Sequence, residues 1–244
     1  MASIKDAAED ALQDNKAFFK YIIFAIPLYL TWYLYGTEQT GFIFFCAVAF
    51  CFFMILGILT ICSINVIGNK NQILPDFNLF IIFKEAFLTF LAIAPAILIN
   101  TSLAYFITNA YTLPSDKFDI VLKIFIWFAF ISIIFTTYLL FIKEKKISAA
   151  YNLKAISEYG ADIMIALLFM IPLILLVNLI FLGPVIYLIR LFFGFPNPCF
   201  DYIVCVYAMF NIAVIGNYLA QISMEIIDVK EQKKKYESGE SDFI

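Results

Sequence analysis

Phe42 to Ile67 reads FIFFCAVAFCFFMILGILTICSINVI, a continuously apolar run. A helix rises 1.5 Å per residue, and about 20 such residues cross a hydrocarbon core. A strand of a membrane barrel would instead show a short alternating segment. The run therefore reads as a transmembrane helix, and the sequence on both sides repeats it. Spans are expected at Phe18–Tyr35, Phe42–Ile67, Ala86–Ile107, Ile120–Phe141, Ile163–Phe193 and Phe200–Ile227. Several exceed the length needed to cross, which implies tilt or bending. Of the 244 residues, 64 % are hydrophobic and 14 % charged. A soluble domain is nearer half apolar and about a quarter charged. The expected fold is all-α, a polytopic membrane protein with six transmembrane helices. The six helices use up the chain, so one membrane domain is expected, with no appended soluble domain.

After Ile67 the chain turns polar, as IGNKNQILPDFN through Asn78. Phe77–Phe83 is then apolar all round and precedes Lys84-Glu85. One straight helix from Phe77 to Ile107 would measure about 46 Å, too long for a single span. A short interfacial segment is expected, with a turn or bend near Lys84.

Thirteen of the 16 basic residues fall on one side of this six-span arrangement. They are Lys5, Lys16 and Lys20, then Lys70 and Lys84, then the clusters at Lys143–Lys154 and Lys230–Lys235. Only Lys117, Lys123 and Arg190 fall on the other. The positive-inside rule places both termini in the cytoplasm. The organisation expected is a cytoplasmic amphipathic helix over 1–16, a transmembrane domain over 17–228 and a charged cytoplasmic tail over 229–244.

Ser3 with Asp6 fits a capping box, and Ile4, Ala7, Ala8, Ala11 and Leu12 form a helical stripe. The stripe is mostly alanine, so weak membrane affinity is expected, with the helix leading into the first span at an angle. The opening residues hold four acids against two lysines, and no small-residue cleavage site follows the first apolar run. That run is expected to be a retained helix and not a signal peptide. Ser148–Tyr159, with Ala149, Leu153 and Ile156 on one face, reads as an interfacial helix between the fourth and fifth spans. The segments KAFFKYIIFAIP (Lys16–Pro27), KEAFLTFLAIAP (Lys84–Pro95) and ADIMIALLFMIP (Ala161–Pro172) suggest three helical-hairpin repeats with interfacial lead-in helices.

The chain has no histidine, which removes imidazole as metal ligand, general base or pH switch. GNK at Gly68–Lys70 lacks the glycines and following helix of a phosphate loop. No catalytic, cofactor or metal site is expected. The basic clusters are short and next to membrane, so no nucleic-acid partner is expected. The five cysteines predict no disulfide framework.

Inside the spans the polar set is amide and hydroxyl: Asn65, Asn100, Ser132, Thr136, Thr137, Asn178, Asn211, Asn217 and Gln221. Two readings stay open. The amides line a polar cavity near the third, fifth and sixth spans, or they bond between helices and fix packing. Pro95 and Pro172 precede Asn100 and Asn178 by five and six residues, and kinks beside amides can make a binding site. Arg190, the only arginine, reads as an anion or headgroup contact, or as a partner for Asp201. The lysine clusters are expected to touch anionic lipid.

GILTICSINVIGNKNQILPDFN followed by FKEAFLTFLAIAPAIL resembles an uncharacterised prokaryotic family of membrane proteins of unknown function, related to the YciC-like membrane proteins. The shared pattern is a glycine-containing span, a short polar loop with Leu74-Pro75, and an amphipathic lead into the next helix. The resemblance implies a prokaryotic inner-membrane protein and supplies no catalytic residues. The function expected is a non-enzymatic membrane protein of unknown specific activity, a structural or accessory component of a larger assembly with a membrane or cytoplasmic protein partner. The alternative is a small transporter or lipid-handling permease with its site near the proline and asparagine positions.

Overall fold

The computed structural model describes residues 3–13, 16–38, 41–70, 72–110, 116–193 and 198–237, with backbone alone at 116–118, 181–183, 185–186, 189–193 and 234–237. Its helices are α1 (Ile4–Gln13), α2 (Ala17–Gly36), α3 (Phe42–Ile67), α4 (Leu79–Ala110), α5 (Asp116–Glu144), α6 (Ile147–Ala150), α7 (Leu153–Phe193) and α8 (Pro198–Ser223). A π-helical turn, Met224–Asp228, joins α8 to α9 (Val229–Glu237). There is no strand among the described residues. Six helices are long and apolar enough to cross a membrane. The backbone polar groups of such runs are satisfied within the helix, which is the condition for residing in hydrocarbon. Large apolar side chains such as Phe45, Phe80, Phe106, Phe169 and Leu179 stay exposed along them. The protein is a multi-pass α-helical membrane protein.

Two expectations about helix ends are corrected. α4 runs through Lys84 as one helix, so no turn separates an interfacial segment from the span there, as one reading of the expected turn or bend required. Its start is fixed earlier, by Asn78, whose Oδ1 accepts from the Ile81 N–H at 3.2 Å. Lys84 and Glu85 are good helix formers and give no reason to stop. The expected helix over Ser148–Tyr159 is divided. α6 ends at Ala150, and Asn152 caps α7 by accepting from the Ala155 N–H at 3.1 Å. The rest of that segment is the beginning of the fifth span.

The packing resolves into two compact units, one holding Ala2–Phe87 with Met170–Gln221, the other Leu88–Phe169 with Ile222–Ile244. In the first, backbones approach closely where side chains are smallest. A Cβ on Gly57 would lie 2.3 Å from the Ile82 carbonyl oxygen, and one on Gly216 2.9 Å from that of Leu59. Small residues that admit close backbone approach are the usual basis of helix association in lipid. Ser63 Oγ adds a hydrogen bond to the Gly216 carbonyl at 2.8 Å. In the second unit, Leu139, Ile142, Ile163, Leu167 and Ile227 are buried, and the same unit holds an ion-pair set. There Lys143 meets Asp228 at 2.6 Å and Glu231 at 2.8 Å, while Lys230 pairs with Asp162.

Candidate functional site

The amides read from the sequence divide into four fates. Asn178 and Asn211 come together: Asn178 Nδ2 donates to Asn211 Oδ1 at 3.3 Å and to the Ile174 carbonyl at 2.7 Å. Asn211 Nδ2 donates to the Tyr207 carbonyl at 3.0 Å. The pair borders a cavity of about 290 Å3 whose other walls are almost wholly apolar. Ile174 and Val177 of α7, Phe210 and Val214 of α8, and Ile4 and Leu12 of α1 line it. The proposed polar cavity is thus a greasy one with a single amide pair on its wall.

Asn100 does not join them. It donates to the Ala96 carbonyl at 2.7 Å, one turn back in its own helix. Thr136 and Thr137 behave alike, bonding the carbonyls of Ser132 and Ile133. Such local bonds satisfy a polar group in hydrocarbon without any neighbouring helix. Pro95 and Pro172 are exposed and do not line this cavity. Pro95 does act locally. It has no N–H to offer the Leu91 carbonyl, and the Tyr151 hydroxyl donates to that carbonyl at 2.8 Å. The side chain of Arg190 lies outside the described residues, and so does its expected pairing with Asp201.

Asn217, fully buried, belongs to a different contact. Its Nδ2 donates to Asp10 Oδ2 at 3.1 Å and to the Ala7 carbonyl at 3.3 Å, and Gln221 Nε2 donates to its Oδ1 at 3.2 Å. Gln221 Oε1 in turn accepts from the Ser3 N–H at 2.8 Å. The Ser3 hydroxyl caps the Asp6 N–H at 3.3 Å, as the capping box requires, while the reciprocal bond comes from α8. The Tyr21 hydroxyl bonds the Ala11 carbonyl at 2.9 Å. Ala7 and Ala11 are fully buried. The N-terminal helix is therefore docked on α8 and α2 by alanines and amides. Its remaining apolar residues, Ile4, Ala8 and Leu12, form the cavity wall.

A second, polar hollow of about 230 Å3 lies at the connection after α3, lined by Asn65, Lys70, Gln72, Asp76 and Asn78 among others. The connection is tucked in: Ile73, Leu74 and Pro75 are buried. Asn65 Nδ2 donates to the Ile73 carbonyl at 3.0 Å, and Lys20, only 4 % exposed, donates to the Leu74 carbonyl at 3.2 Å with Asp76 at 3.9 Å. Of the lysine clusters, Lys143 and Lys230 are held in ion pairs, whereas Lys145, Lys146 and Lys154 are exposed. No cluster of potential metal ligands occurs among the described residues.

The spans and the docked terminal helix define a multi-pass helical membrane protein with a partly open apolar cavity. No known protein-family model, no curated protein and no solved structure matches the chain.

Proposed function

We propose that this chain is a non-enzymatic component of a prokaryotic inner (plasma) membrane, with both termini in the cytoplasm, acting as a structural or accessory part of a larger assembly. The observation that carries the reading is the use of the intramembrane amides. Asn65, Asn178, Asn211 and Asn217 each bond another helix or a connection and so hold these in place, while Asn100 is satisfied within its own helix. The lysine distribution supports cytoplasmic termini. Exposed Lys145, Lys146 and Lys154 offer a basic face to anionic headgroups or to an acidic protein surface.

Purification in mild detergent followed by mass spectrometry of the intact complex tests the assembly. A second protein in fixed stoichiometry is expected, and a chain that always emerges alone rejects the reading. Topology is tested separately. Cysteine placed at Lys146 should react with an impermeant maleimide only after the cells are opened.

The cavity beside Asn178 and Asn211 favours a second reading, a lipid-handling permease. A transporter of polar solutes fits it less well, because its walls offer little besides the amide pair.

A further inference from the structure

We propose that the cavity bounded by α1, α7 and α8 is the binding site of a single acyl chain, drawn from the membrane leaflet on the α1 side. The inference gives the second reading above its ligand class, and it holds whether or not the protein has a partner.

Depth is the first argument. On α8 the cavity runs from Ile215, next to the level at which Asn217 holds α1, down to Tyr207. Eight residues of helix make about 12 Å. Half of a hydrocarbon core is about 15 Å. The space therefore begins beside the docked terminal helix and extends about 12 Å along α8, close to the length of one leaflet's chain.

Chemistry is the second argument. The walls are Ile, Val, Leu, Phe and Ala, apart from Tyr207 and one amide pair. Water needs two to four polar partners to remain in a cavity, and this lining offers few. Left empty, the lining would lose its dispersion contacts on one side. The surrounding hydrocarbon is the material that can fill it. Leu12, a lining residue yet 64 % exposed, marks the side on which a chain enters.

The amide pair supplies the third argument. Asn178 Nδ2 already makes two bonds, and Asn211 Nδ2 makes one, to its own helix. A bound chain therefore meets amides already engaged with protein, and can lie against them without stripping a polar group of its partner.

Native mass spectrometry of the full chain tests the site. Wild type is expected to keep a single diacyl lipid through detergent exchange. Ala8→Phe and Val177→Phe fill the space from opposite walls, and each should lower the retained lipid roughly tenfold, about 1.4 kcal/mol in free energy. Ile124→Phe, on an exposed apolar face of α5, should leave it unchanged. Wild type free of lipid, or filled variants that keep as much as wild type, overturns the inference. If the filled variants do not fold, wild type in phosphatidylcholine vesicles carrying a diazirine on the acyl chain gives the answer. Adducts concentrated on the peptides holding Val177 and Phe210 support the site, and labelling no greater there than at 120–131 refutes it. A protein found in the cavity in place of lipid also refutes it. Loss of a partner protein without loss of lipid would bear on the assembly reading alone.

Discussion

The Asn217 amide donates to the Asp10 carboxylate at 3.1 Å, joining the last membrane helix to a helix at the opposite end of the chain. The same Nδ2 holds the Ala7 carbonyl, and the buried apolar contacts at this interface are the alanines Ala7 and Ala11. Alanine buries little area, so these hydrogen bonds carry much of the docking.

Asn217→Ala should release α1. It removes both bonds to the helix and the acceptor for Gln221, with a loss of about 1–2 kcal/mol of docking free energy. Hydrogen exchange of the Ile4–Gln13 amides should rise by more than that of α3. Asp10→Asn keeps an acceptor at the same place and should release the helix less. Equal exchange in Asn217→Ala and wild type would show that α1 is held by something else.

At the α3–α4 approach the expected effect is steric. A Cβ on Gly57 would lie 2.3 Å from the Ile82 carbonyl oxygen and 2.7 Å from its Cγ2, and backbone cannot swing aside as a side chain does. Gly57→Ala should lower stability by about 1–3 kcal/mol or more, as overpacking does. Gly216→Ala, whose nearest contact is 2.9 Å, should be milder. Thermal unfolding in one detergent compares them. A Gly57→Ala variant as stable as wild type would mean that α4 yields at Ile82.

The spans were legible because hydrocarbon demands a run of fixed length, and α3 has the bounds its apolar run suggests. The docking of α1 was not. Its stripe shows only that one face is apolar, and says nothing of whether bilayer or protein covers it. The amides show the same limit. Asn178 meets Asn211, whereas Asn100 turns back to Ala96, and both sit in equally greasy sequence. Composition identifies a polar group that needs a partner but does not choose between the next helix and its own last turn. Lys20 counted in the sequence toward orientation, yet the structure buries it beneath the connection after α3.

Lys20→Met should loosen that connection. The Leu74 carbonyl would lose its charged donor, and a hydrogen bond to a charged group is worth about 1.5–3 kcal/mol. Leu74→Cys, placed in an otherwise cysteine-free background, reports the change through its rate of maleimide labelling. The rate should rise in the Lys20→Met variant and stay low with Lys20 present. Unchanged labelling would show that Asn65 and its bond to Ile73 suffice to hold the loop.

Tyr151 offers the sharpest test of how the protein accommodates a proline. Pro95 leaves the Leu91 carbonyl without a helical donor, and the Tyr151 hydroxyl fills that place at 2.8 Å. Tyr151→Phe keeps the ring and removes only the donor. The carbonyl would then be left without that bond at a cost of about 1–3 kcal/mol. The loss should vanish when Pro95→Ala is added, since alanine restores the helical N–H to Leu91. A double-mutant cycle read by thermal unfolding measures this coupling directly. Additive losses from the two changes would mean that the hydroxyl stabilises something other than the carbonyl the proline exposes.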